Sequence, residues 1–269
     1  EGQLRFGNDL EQYLRILDQT QDLLENAPED YLLGMAPHSL RAVSPESLKE
    51  ILEARSSGTV HIHIAEQLKE VEEIQTHFGA RPVEWLLKNV VVDSRWCLIH
   101  ATHMTQEETQ NLAKSGAVVG LCPITEANLG DGFFDGTELL LSGGKYGIGS
   151  DSNVRISLTE ELRLLEYSQR LVRKERNVMT NKTGSVGMAL YYDSLAGGAQ
   201  ALGRKSGSIV PGNWADLLTL DTEALTLSGC TEDEILDRWI FTGEDSLVRE
   251  VWSAGRQMVA DGQHIRHDE

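Results

Sequence analysis

The stretch VHIHIAEQ, residues 60–67, sets two histidines and a glutamate among branched apolar residues. Its first part alternates with the two-residue period of a strand, which puts His61 and His63 on one face. From Leu68 the period changes, and Leu68, Val71, Ile74 and Phe78 recur at helical spacing. A strand passing into a helix, with ionisable groups at the junction, is the repeating unit of an α/β fold that carries its chemistry at strand ends.

The same unit recurs on both sides. Upstream, Ser44 and Pro45 open SPESLKEILEAR (44–55) as N-cap and first helical residue. YLLGMAPHSL (31–40) reads as a strand running into a loop, and residues 10–25 as a helix. Downstream, WCLIHATH (96–103) is a strand, and Thr105 with Glu108 forms a capping box for the next helix. AVVGLCP (117–123) is almost continuously apolar, as strands buried on both faces of a parallel sheet are. KYGIGSDS (145–152) is a further strand, and Ser157 with Glu160 caps a long helix to about Arg176.

The expected fold class is therefore α/β, a partial (β/α)8 TIM-like barrel over residues 1–204. Five strands do not close such a barrel. The chain enters a helical pattern at once with no initiating Met, so the missing strands are expected upstream. Past residue 205 the texture turns to short β runs around a helix, TEDEILDRWIF, which predicts part of a small β-sandwich appendage over 205–269.

The net charge of −18 argues against nucleic acid or an anionic membrane as partner, but leaves room for a small anionic substrate in a locally positive pocket. No apolar run is long enough to span a bilayer, and no secretory signal opens the chain. Cys97, Cys122 and Cys230 are too widely spaced for a zinc ribbon or a disulfide framework, which points to a reducing cytoplasm.

His63 closes one strand, His100 the next and Asp151 the last. One strand-end histidine means little, because most are structural. In a parallel barrel, however, these ends converge on one mouth, where imidazole and carboxylate can hold a divalent metal and leave a position open for water. Glu66, in H-x-x-E spacing from His63, is placed to move protons beside such an ion; the alternative is a residue that merely starts the next helix. His61 shares a face with His63 but lies deeper in the strand, and is read as a packing residue. Asp151 has a plainer reading as a loop cap.

His38 and Arg41 follow the first strand, and an arginine at a barrel mouth can grip a carboxylate; a surface arginine near a helix start fits equally well. Thr102, His103 and Asn128 either line the mouth or cap loops, while His77, His264 and His267 read as solvated. GGKYGIG is not a P-loop, because Tyr146 follows Lys145 where Ser or Thr is required. No nucleophile elbow is present.

Taken together, APHSLRAVSPE, VHIHIAEQ, LIHATHMT, LCPITEANLGDG, GIGSDSN and SGSIVPGNWADLLTLD resemble the amidohydrolase superfamily, and within it the N-formimino-L-glutamate deiminases of histidine degradation. The resemblance implies a distorted (β/α)8 barrel, about strands four to eight of it here, with a β-sandwich appendage and one divalent metal, usually zinc. It implies His63 and Asp151 as metal ligands; Glu66, His100 and Asp151 as catalytic residues; and His38 and Arg41 as binders of the substrate carboxylates. The implied reaction is hydrolytic deamination of N-formimino-L-glutamate to N-formyl-L-glutamate and ammonia. The superfamily's first-strand H-x-H pair has no match here, so this chain alone is expected to hold about half the ligand shell and to bind metal weakly. Two alternatives stay open: a related deaminase or chlorohydrolase acting on a nucleobase, nucleoside or triazine, or an inactive chain that folds only against a partner. A homodimer is also open.

Overall fold

The computed structural model describes residues 7–180 and 184–267. Four strands, β1 (Val60–Ile64), β2 (Trp96–His100), β3 (Val118–Leu121) and β4 (Lys145–Ile148), form a parallel sheet in chain order. Parallel neighbours need a crossover, and helices supply each one. Helices α1 (Leu10–Leu24) and α2 (Pro45–Ala54) precede β1. Helices α3 (Leu68–Phe78) and α4 (Pro82–Asn89) join β1 to β2, and α5 (Gln106–Ser115) joins β2 to β3. Helices α6 (Pro123–Leu129) and α7 (Gly136–Leu141) join β3 to β4, which α8 (Leu158–Arg173) and α9 (Val186–Ala201) follow.

Local chemistry accounts for the helix starts. The Ser44 hydroxyl accepts from Ser47 N, the Thr105 hydroxyl from Glu108 N and the Ser157 hydroxyl from Glu160 N, each satisfying an amide the helix cannot. The main core lies between sheet and helices, with Val60, Ile62, Leu98, Val119, Leu121, Leu162 and Leu190 all fully enclosed.

The strand expected over 31–40 is not one. It is reduced to isolated parallel bridges, Met35 to Val60 and Ser39 to His63, because Pro37 has no amide to give a ladder. It still runs beside β1: His61 N donates to Met35 O and His63 N to His38 O. The strand expected over 96–103 stops at His100, where His100 and Ala101 take left-handed backbone angles (φ 68° and 49°). The one over 117–123 stops at Leu121, because Pro123 already begins α6. The long helix ends at Arg173 rather than Arg176, on a left-handed Lys174. The apolar, glycine-containing α9 has no clear polar face, so periodicity did not reveal it.

Beyond α9, β5 (Leu217–Leu220), β6 (Val248–Ser253), β7 (Arg256–Ala260) and β8 (Gln263–His264) form one antiparallel sheet, with α10 (Glu232–Phe241) between β5 and β6. An ion network ties this sheet to the first part of the chain. Arg204 donates to both Asp216 oxygens (2.5 and 2.8 Å) and to Asp30 O, while Arg256 donates to both Asp30 oxygens (3.0 and 2.5 Å). Among the described residues, no helix is long and apolar enough to cross a membrane.

Candidate active site

The parallel register brings the ends of β1 and β2 level, with His63 opposite Ile99 and Ile64 opposite His100. Just past the strands the backbone turns sharply. Ala65, His100, Ala101, Asp151 and Asn153 all have φ between 44° and 68°, a region L-residues seldom occupy. Such strain persists where the surroundings over-determine it, as they do at functional sites.

At these turns the metal-ligating atoms of His63, His100 and Asp151 all lie within 4.8 Å of one another. The His63 and His100 rings are 5.7 Å apart, and the His38 ring is 5.0 Å from that of His63. Asp151 is exposed, His63 half-buried and His100 buried. The His63 tautomer follows from its partner: Nδ1 lies 3.0 Å from His38 O, a carbonyl that can only accept, so Nδ1 carries the proton and Nε2 keeps a lone pair. Two imidazoles and a carboxylate suit a borderline divalent ion such as zinc, so the residues present fit a metal.

Glu66 faces the same cluster, its Oε1 3.8 Å from His100 Nε2. It lies outside α3, whose N-cap is Gln67. Burial pushes the Glu66 carboxyl above the usual range and the charge of Asp131 adds to this, against the pull of His100 and His63. Burial alone would lower the His100 pKa, but a hydrogen bond from Nδ1 to Glu126 and the charges of Glu66, Glu126 and Asp151 raise it above the ordinary histidine value. The His38 pKa falls through burial and the neighbouring charges of His63 and Arg41. Arg41 is exposed and makes a long 3.9 Å contact to Glu73.

Other expected residues are used structurally. His61 Nε2 donates to Ala201 O (2.8 Å), and His103 Nε2 to Asp131 O (2.7 Å). His77 is exposed, edge-on to Phe78. Cys97 and Cys122 are buried, and burial raises both thiols, Cys97 to about 12.

Two buried carboxylates were not anticipated. Glu70 accepts from Ala65 N (3.0 Å) and Glu66 N (2.9 Å), clamping the turn that presents Glu66. Its place in the first turn of α3 is the signal that would have found it. Glu126 contacts His100 from 26 positions away, and nothing local announces that.

The amidohydrolase family profile matches residues 6–258. The chain belongs to the amidohydrolase family. Among amidohydrolases and related proteins, a formimidoylglutamate deiminase from Pseudomonas aeruginosa is 50% identical over 266 residues, 98% of this chain and 58% of that protein. A 5-methylthioadenosine/S-adenosylhomocysteine deaminase 2 from Archaeoglobus fulgidus is 35% identical over 191 residues, 68% of this chain and 43% of that protein. The crystal structure of an amidohydrolase from Brucella melitensis superposes with a TM-score of 0.95 at 50% identity, covering 100% of this chain and 59% of that one. An adenosine deaminase from Xanthomonas campestris with bound zinc shares the fold at a TM-score of 0.84 and 24% identity, over 95% of this chain and 58% of that one. This amidohydrolase chain thus spans less than two thirds of the length of these relatives.

Proposed function

We propose that this chain carries the strand-end half of a metal-dependent deiminase site that converts N-formimino-L-glutamate and water to N-formyl-L-glutamate and ammonia. The observation that carries the reading is the convergence of His63, His100 and Asp151 within 4.8 Å, with Glu66 facing His100. The 50% identity to a formimidoylglutamate deiminase over nearly the whole chain supports the choice of substrate. His63 and Asp151 would hold one zinc ion, with His100 beside them. When bound, the metal supplies Lewis acidity that makes a water a nucleophile near neutral pH.

The remaining work falls to side chains. Asp151 takes the proton of the attacking water. His100, buried and held through Nδ1 by Glu126, turns Nε2 to the attacking water, accepts its hydrogen bond and so steadies it as the formimino carbon becomes tetrahedral. Glu66, with its pKa raised by burial, relays to the formimino nitrogen the two protons that water gives up, the first by way of Asp151 and the second from the hydroxyl of the tetrahedral carbon, so that the C–N bond breaks, ammonia leaves and the formyl C=O forms. His38 and Arg41 receive the substrate's carboxylates, a role that Arg41's loose contact with Glu73 leaves it free to take.

The same proposal reads residues 1–204 as part of a (β/α)8 barrel and 205–269 as part of a β-sandwich appendage in the cytoplasm. The four-strand parallel sheet and the separate antiparallel sheet support it. The natural partner is a small anionic molecule, with neither nucleic acid nor membrane involved. The test is Glu66→Gln in protein of the relatives' full length. Bound metal should stay at the parent level while ammonia release from N-formimino-L-glutamate falls by about 10²-fold or more. Unchanged release would refute the role of Glu66, and release only from nucleosides would refute the substrate.

A further inference from the structure

His100 is buried at 1% exposure and sits in a left-handed backbone conformation, so neither solvent nor regular strand geometry sets the direction of its ring. The atoms facing its two nitrogens set it. Nε2 looks across the site toward Glu66 Oε1 at 3.8 Å, beyond hydrogen-bond reach. Nδ1 looks the other way, to Glu126 Oε1 at 3.2 Å. Glu126 is itself held: the same Oε1 accepts from Cys122 N at 2.9 Å, and the residue is only 6% exposed on the short helix α6.

We propose that Glu126 is the positioning residue of His100: by accepting from Nδ1 it keeps the proton on that nitrogen and turns a bare Nε2 toward Glu66, His63 and Asp151. The function of the arrangement rests on the deiminase reading; the arrangement itself does not. A carboxylate oxygen cannot donate, so the 3.2 Å contact is attractive only while Nδ1 is protonated. A ring flip would lose this bond and leave a buried charged acceptor with one fewer donor, which is costly in a dry interior. The second donor, Cys122 N, stops Glu126 from following the ring into another rotamer. A chain of contacts thus runs from the first turn of α6 to the end of β2. It resembles the outer carboxylates that orient metal-ligating histidines.

The test reads the tautomer directly. In the metal-stripped 269-residue chain labelled with ¹⁵N-histidine, long-range ¹H–¹⁵N imidazole spectra are recorded at a pH where the ring is neutral. His100 is assigned by the signals lost in His100→Asn. The expected result is a protonated Nδ1 and a bare Nε2. Glu126→Leu should lose the Nδ1 proton or split it between nitrogens, and Glu126→Gln, whose amide oxygen can still accept from both donors, should restore it. A bare Nδ1 in the unsubstituted chain overturns the proposal without any variant, as does an unchanged pattern in folded Glu126→Leu. If Glu126→Leu does not fold, the unsubstituted chain and Glu126→Gln decide. No substrate enters these spectra, so loss of the deiminase reading would leave a protonated Nδ1 standing, and a bare Nδ1 would leave ammonia release untouched.

Discussion

Helix α9 lies directly on strand β4, and two adjacent glycines, Gly197 and Gly198, give that contact an internal control. A Cβ on Gly197 would lie 1.8 Å from Tyr146 O and 2.3 Å from its carbonyl carbon, whereas ordinary contact begins at 3.4 Å. These are backbone atoms of β4, so no side-chain rotation relieves the overlap and the helix has to withdraw. A Cβ on Gly198 would meet nothing within 4 Å. Both substitutions by alanine gain helix propensity, about 1 kcal/mol. For Gly198→Ala that gain stands alone, so stability should rise by about 0.5–1 kcal/mol. For Gly197→Ala it is opposed by overpacking of about 3 kcal/mol, at the upper end because the obstacle is main chain, for a net loss of about 2 kcal/mol or more. Urea denaturation followed by far-ultraviolet circular dichroism measures both. Opposite signs one residue apart are the expected result. A Gly197→Ala midpoint at or above that of the parent would refute the reasoning. β4 leads to Asp151, so the same substitution should also weaken metal binding, with Gly198→Ala neutral.

Asp30 is held below the usual carboxylate range by its Arg256 hydrogen bonds, and Asp216 by those of Arg204. Both native pKa values lie below the unfolded ones, so their contribution is complete above about pH 4 and is lost as pH falls through the lowered values. Thermal midpoints of the parent should therefore drop more steeply below about pH 4 than those of Asp30→Asn; parallel curves below that pH would count against the network. Glu70→Gln sets an amide donor against one of the two turn N–H groups, so the chain should lose about 1–3 kcal/mol and the Ala65 and Glu66 amides should exchange faster. Unaltered exchange at both amides would show that the clamp is not needed. His63→Ala removes an imidazole from the three-residue cluster, and zinc measured by mass spectrometry after dialysis should fall below the parent level. Equal zinc in the two would remove His63 from the ligand set.

Much of this was legible in the sequence, because periodicity and caps are local. The alternation of Val60–Ile64, the Ser44, Thr105 and Ser157 caps and the polar groups at strand ends all come from interactions within a few residues. Strand–helix repetition then implied a parallel sheet, and a parallel sheet implied that His63, His100 and Asp151 would meet. What the sequence could not express is whatever depends on atoms distant along the chain. The run at 31–40 had the composition of a strand, yet its pairing with β1 survives only as two bridges. Helix α9 has no polar face to betray it, because β4 and α10 both pack against it. The grip of Glu126 on His100 and the seating of Gly197 on Tyr146 cross 26 and 51 positions, respectively. Local propensity determined which residues stand at the strand ends. Only the packed fold decided which way their nitrogens and oxygens face, because a side chain's direction is set by the groups it meets in space.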